Sequence, residues 1–241
     1  MRPVKKWSYS DKEVDPPIKK SYEPYNDAKA DLERNLDGYC SYCEKPSVDE
    51  SAHVEHVQPK GLPKYAHLEY EWSNFLISCA RCNGSDNKGD KDVVFDEVHL
   101  PHLNNTLISV QYLEGGLIQP NYNLIEKELA KSKALIELVG LDKVPGHSKY
   151  KSKDKRWDRR REVWEIAKRK LEQYRSNEID IQNIIELTRG YGFWSVWFNV
   201  FINDKDEKQA LVGSFRGTDK NCFDQEYNPI GRNPTHPYDT V

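Results

Sequence analysis

Two Cys-x2-Cys pairs, Cys40–Cys43 and Cys79–Cys82, stand 35 residues apart and bracket the segment His53-Val54-Glu55-His56. Four thiolates at this paired spacing can close a tetrahedron around zinc, which takes all-cysteine ligation in structural sites and leaves no position open for chemistry. The competing reading, two unrelated pairs of small buried residues, depends on the compartment. No apolar run approaches the ~20 residues that span a bilayer. The opening Met1-Arg2-Pro3-Val4-Lys5-Lys6 lacks the apolar core of a secretory signal. A cytoplasmic protein without a membrane segment is therefore expected, and in a reducing cytosol such cysteines are metal ligands before they are disulfides. Cys222 stands alone and is expected to be a small buried residue rather than a nucleophile.

Along the chain the organisation predicted is a Pro-, Tyr- and Lys-rich arm with a short helix over 1–36, a cysteine-bearing core over 37–98, and a mainly helical region over 99–241. The arm packs on the core as an extended strap. Its helix runs from Asp27 to Leu36 and stops at Asp37-Gly38, a pair with turn chemistry. Ser51 to Gln58 is expected as a strand, with His53 and Glu55 on one face and His56 on the other. Trp72 to Ser78 is expected as a helix leading into the second cysteine pair. Residues 119–140 show a helical period stopped by Gly140, and a further helix spans Ile179–Thr188. Phe193 to Ile202 is a buried strand or a core helix, which periodicity cannot decide. The last forty residues are expected to be loop-rich.

The succession of a cysteine pair, a strand with Glu55-His56, Asn74, a second pair followed by Asn83, and then a lysine resembles the HNH nuclease family over residues 39–91. The fold class this implies is α+β: a ββα-metal core with four-cysteine zinc knuckles, embedded in a mainly α-helical domain. The resemblance makes His56 the general base, Glu55 the acidic metal ligand, Asn74 the residue that orients the catalytic loop, and Asn83 the third signature position. Mg²⁺ or Mn²⁺ is then the catalytic ion, held by Glu55 and Asn83 with His53 or Asn87 as further candidates, while Zn²⁺ is structural. An imidazole titrating near neutrality suits the removal of a proton from water. Asp86, His67, His99, His102, His147 and His236 are expected to be loop, surface or packing residues.

The flanks, Met1 to Lys6, the string through Lys60, and Phe215-Arg216-Gly217-Thr218 with Cys222-Phe223-Asp224, resemble a narrower bacterial group. These are the PtuB-type HNH proteins paired with an ABC/SMC-like ATPase in Septu phage defence and in some retron systems. The implied partners are such a PtuA-type ATPase, in a hetero-oligomer, and DNA. Charge supports the second partner. Residues 147–175 hold twelve basic and five acidic residues, a net of +7 in a chain of −3, so the remainder carries −10. Lys60, Lys88, Lys155, Arg156, Arg159 and Arg160 are the candidate contacts to nucleic acid. Two rivals stand beside DNA cleavage: an RNA- or tRNA-cleaving HNH nuclease, and a non-catalytic zinc module that scaffolds an ATPase or nucleic acid.

Overall fold

Strand β1 (His53–His56) pairs antiparallel with β2 (Phe75–Ser78), placing Val54 opposite Ile77 and Glu55 opposite Leu76. A four-residue helix, α2 (Ala80–Asn83), follows directly after Cys79. The molecule, a computed structural model, describes residues 1–46, 52–232 and 241. Ser51 and His236 lie outside the described residues.

The helix expected over Trp72–Ser78 is instead a 3-10 turn, Trp72–Asn74, running into β2. Phe75, Leu76 and Ile77 are all fully buried, and a short continuous apolar run of this kind suits a strand covered on both faces. Its pairing partner lies some twenty residues back, beyond the reach of local periodicity.

Around this pair the remaining elements are α1 (Ala28–Leu36), α3 (Thr106–Ser109), β3 (Val110–Leu113), β4 (Leu117–Pro120), α4 (Glu126–Val139), α5 (Arg156–Arg175), α6 (Ile181–Tyr191), α7 (Trp194–Val200) and α8 (Lys205–Ser214). Residues 119 and 120, at the start of the expected helix, are thus strand, and β4 pairs with β3 as a hairpin. Pro120 lacks a donor, and the Asn121 amide binds the Ile108 carbonyl, so the helix begins only at Glu126. Gly140 stops it in a left-handed conformation (φ 60°). A side chain there would collide with the Asn87 amide. The hairpin turn at Gly115-Gly116 lies on α5 so closely that a Cβ on Gly116 would meet the Arg161 backbone at 2.5 Å. The Phe193–Ile202 run forms core helix α7, with Trp194 stacked on Phe198 at 4.9 Å. Helix α8 lies within the stretch expected as loops, because Leu211 and Val212 are buried against the core. Cys222 is fully buried. No helix among the described residues is long and apolar enough to cross a membrane.

The first residues pack into the core. Met1 and Val4 are buried. The Lys6 ammonium donates to the carbonyls of Trp72, Ser73 and Phe75 at 2.6, 2.9 and 2.8 Å, fixing the turn that carries Asn74.

A buried polar cluster joins α3 and α4. His99 Nδ1 lies 2.8 Å from Ser109 Oγ, and its Nε2 lies 2.7 Å from Glu128 Oε2. Lys131 pairs with the same carboxylate at 3.3 Å. Burial holds the imidazole below its ordinary pKa, against the pull of Glu128. In the unfolded chain His99 takes its proton near pH 6.5, before the folded protein does. The stability it contributes is therefore complete above about pH 6.5 and is lost as pH falls toward the lower folded value. Urea midpoints should drop between pH 7 and 5.5, and His99→Gln should flatten that slope. An identical slope in the variant would assign the effect to other groups.

Candidate metal centre and candidate active site

The four cysteine sulfurs converge. All lie within 4.8 Å of one another and all four residues are buried. Cys43 Sγ stands 3.7 Å from Cys79 Sγ. A zinc ion bonded to sulfur at about 2.3 Å has a tetrahedral edge near 3.8 Å, so this donor set fits zinc. The first knuckle is shaped by Glu44 N–H donating to the Cys40 carbonyl and Cys40 N–H to the Lys45 carbonyl. The second continues into α2 through Asn83 N–H donating to Cys79. Ser41 N–H donates to Ile77 O at 2.8 Å, tying the first knuckle to β2. Among the described residues these four are the one group of three or more His, Cys, Asp or Glu side chains able to hold an ion together.

Arg156 completes this centre. Sequence reasoning placed it on a solvent face as a nucleic-acid contact; it is buried instead, at 5% exposure. Its Nη1 lies 3.2 Å from Cys82 Sγ and 2.7 Å from the Val139 carbonyl. Nη2 reaches Gly140 O at 3.0 Å and Asp154 at 2.7 Å. Burial opposes the charge, but the Cys82 sulfur and Asp154 outweigh it and hold the guanidinium above its ordinary pKa. Zinc with four thiolates carries two net negative charges, and a guanidinium hydrogen-bonded to one sulfur offsets part of them. Outer partners of this kind tune metal affinity about 10–100-fold. Arg156→Met should weaken zinc by that factor in competition with a chromophoric chelator, and should cost about 3 kcal/mol by stranding Asp154. Unchanged zinc affinity would reduce Arg156 to a packing residue.

Arg160, another expected contact, is also buried, donating to Gly116 O at 2.6 Å and Leu141 O at 3.0 Å. Lys88 is 1% exposed and cannot reach a bound polymer. Its ammonium lies 2.6 Å from the His56 carbonyl and 3.2 Å from Glu55 Oε1. Lys60, Lys155 and Arg159 remain accessible. Lys60 pairs with Glu69 at 2.9 Å and sits over the Tyr25 ring.

Glu55 is wholly buried between Lys88 and Tyr42, whose hydroxyl lies 3.5 Å from Oε1. Burial, partly countered by Lys88, pushes its carboxyl up to about 7. Its second oxygen, Oε2, has no hydrogen-bond partner within the described residues. That oxygen is a donor of the hard kind that Mg²⁺ or Mn²⁺ takes. The cation beside the carboxylate in this conformation is the Lys88 ammonium.

His56 closes β1 with its ring edge-on to Tyr25 and Phe75, at centroid distances of 4.8 and 5.1 Å. Nε2 lies 2.8 Å from the Glu69 carbonyl. A carbonyl can only accept, so Nε2 carries the proton and the lone pair stays on Nδ1. Burial, then the charges of Lys60 and Lys88, hold the imidazole below its ordinary pKa, while the Glu69 hydrogen bond pulls the other way. Asn74 clamps the loop after β1: its Oδ1 accepts from Gln58 N–H at 2.8 Å and its amide donates to Gln58 O at 2.9 Å.

Of the two asparagines left open as metal ligands, Asn87 is committed elsewhere. Its amide donates to Arg81 O at 2.8 Å, and its oxygen accepts from Lys143 Nζ at 2.6 Å. The Asn83 side chain, at the end of α2, is half-buried. His53 is exposed on β1. Tyr42 and Glu69 were not singled out from sequence, and Arg156 was singled out only as a nucleic-acid contact. Its helical phase relative to Val163 and Ala167 was the signal that could have placed it inside.

The family description "HNH endonuclease" matches residues 40–89, the stretch that holds both knuckles, β1, β2 and α2. Septu protein PtuB of Bacillus mycoides (strain KBAB4) is 38% identical over 81 residues, covering 28% of this chain and 28% of the relative. Septu protein PtuB of Bacillus thuringiensis is 32% identical over 107 residues, 44% of this chain and 37% of the relative. The matched stretch therefore spans well under half the length of either relative.

Proposed function

We propose that this chain, which matches the HNH family over residues 40–89 and resembles PtuB over part of its length, is a metal-dependent endonuclease that hydrolyses DNA phosphodiester bonds in an ATPase-coupled anti-phage system. The observation that carries this is the His56 imidazole, its Nε2–H donated to the Glu69 carbonyl so that Nδ1 is the base. A neutral imidazole held in one tautomer by a backbone acceptor is arranged to take a proton from an attacking water. Asn74 holds the loop beyond His56 through two hydrogen bonds to Gln58, and Lys6 holds the turn beneath Asn74.

Glu55 and Asn83, with His53 as a further ligand, are the residues we assign to Mg²⁺ or Mn²⁺. When bound, such an ion supplies positive charge for the scissile phosphate and the leaving 3′ oxygen. The Lys88 ammonium holds Oε1, so Glu55 would offer the ion its other oxygen, Oε2. The four cysteines hold zinc as the structural ion. The Septu resemblance supports an ABC/SMC-like ATPase as the partner that licenses cleavage.

The test is nicking of supercoiled plasmid in Mg²⁺ or Mn²⁺ by the zinc-loaded chain, alone and with the neighbouring ATPase. Ion-dependent nicking supports the assignment. Cleavage of RNA but not of plasmid would move the substrate to RNA. Inactivity toward both, with the partner present, would favour the scaffold.

A further inference from the structure

Beside the zinc centre lies a trough of about 580 Å³ between the two knuckles and the approach to α5, lined by Lys45, Arg81, Lys153, Lys155 and Arg159 with Cys79 and Ala80. A second cavity of about 300 Å³ shares Arg81 and Asp154 with it and carries Lys151 further along. The two make one basic channel around Arg81. We infer that this channel is a binding track for the phosphodiester backbone of a nucleic acid, a proposal that rests on the nuclease assignment and locates its substrate.

Charge is the first argument. In the larger cavity five accessible cations face one carboxylate, Asp154, and that carboxylate is already bound by the buried Arg156. Three of the channel's cations make only surface pairs. The Lys155, Arg159 and Lys151 side chains are 64%, 62% and 58% exposed, and their partners are surface carboxylates: Asp158, Glu162 and Asp86. Exposed pairs of this kind contribute little and exchange readily for phosphate oxygens.

Extent is the second. A single small anion engages two or three donors, whereas these cations line two adjoining cavities. A polymer with a negative charge at regular intervals meets all of them, and each neutralised phosphate releases counterions. The lining also lacks the buried aromatic and aliphatic anchors that dominate protein–protein contacts; Tyr150 and Ala80 are its principal nonpolar members.

Position is the third. Cys79 and the first two residues of α2, Ala80 and Arg81, line the trough, and the last residue of that helix is Asn83. A backbone lying in the channel therefore runs alongside the helix that carries one of the assigned metal ligands. From α5 the channel uses Arg159, which stays accessible where Arg156 and Arg160 turn inward.

The experiment measures binding of a fluorescein-labelled 20-base-pair DNA duplex, and of single-stranded RNA of equal length, across a potassium chloride series without added divalent ion. The proteins are wild type, the double variant Lys153→Glu/Arg159→Glu, and Lys29→Glu as a control on the exposed face of α1. Equal zinc content and melting temperature guard against loss of folding. The expected result is a salt dependence shallower by about two units of log K per log salt in the double variant, affinity at least tenfold weaker, and no change in the control. Whichever probe shows the change identifies the polymer. An unaltered slope in a double variant that still nicks plasmid would overturn the channel and leave the nuclease standing. Loss of ATPase binding with nucleic-acid binding intact would also overturn it, assigning the channel to an acidic protein surface. If wild type neither binds a probe nor cleaves, channel and nuclease fall together.

Discussion

Cys82→Ser is expected to yield protein that retains almost no zinc and melts many degrees below wild type. Zinc binding contributes about 10–16 kcal/mol in small zinc-dependent peptides, as much as or more than the roughly 5–15 kcal/mol by which a typical domain is stable. The residues hung on the second knuckle show why the loss should spread. Asn83 N–H donates to Cys79 O, and Lys88 N–H donates to Cys82 O. Lys88 in turn reaches the His56 carbonyl and Glu55. Without the ion, α2, the Lys88 ammonium and the end of β1 lose their common anchor, and the Arg156 guanidinium faces a neutral hydroxyl in place of a thiolate. Cys222→Ser is the matched control. It removes an equally buried sulfur that is not part of the cluster, so it should leave zinc content unchanged. Metal analysis with thermal melts on both variants decides the matter; a Cys82→Ser protein with one zinc per chain and a wild-type midpoint would remove the cysteines from the metal.

What sequence disclosed and what it hid divide along local and non-local lines. The cysteine spacing, the Asp37 stop of α1 and the Gly140 stop of α4 are local signals, and each corresponds to a feature of the structure. The strand over Phe75–Ser78 was missed because it is defined by pairing with His53–His56, which no window around residue 75 contains. The charge run misled in a more instructive way. Arg156, Arg160, Val163, Trp164 and Ala167 are all buried, at the i, i+4, i+7, i+8, i+11 spacing of a single helix face. The two arginines thus belong to the apolar stripe, and their donors are satisfied by carbonyls of Gly116, Val139, Gly140 and Leu141. Phase could have exposed this; residue type alone pointed to solvent. The Glu55–Lys88 pair was hidden for another reason: two residues 33 apart meet only after the knuckles close, and each alone resembled a functional group facing solvent.

His56→Ala is expected to slow phosphodiester cleavage by about 10²–10⁴-fold, the range a positioned general base supplies, with zinc content and nucleic-acid affinity unchanged. Alanine, however, also deletes the hydrogen bond to the Glu69 carbonyl, and a loosened strand end could mimic a lost base. His56→Gln separates the two. Its Nε2 amide can still donate to the Glu69 carbonyl, but it has no lone pair of comparable basicity, so a residue needed only for positioning would be rescued and a base would not. The pH dependence gives a third readout. Burial and the charges of Lys60 and Lys88 hold the His56 pKa below its ordinary value, so the larger part of the imidazole is unprotonated at pH 6.5. The wild-type rate should fall on the acid side with its midpoint below that of an ordinary histidine. Residual cleavage by the glutamine variant should lose this acid limb. Single-turnover rates from pH 5 to 8 measure all three proteins on one scale. A glutamine variant within about threefold of wild type, or an acid limb that persists without the imidazole, would transfer the proton to another group.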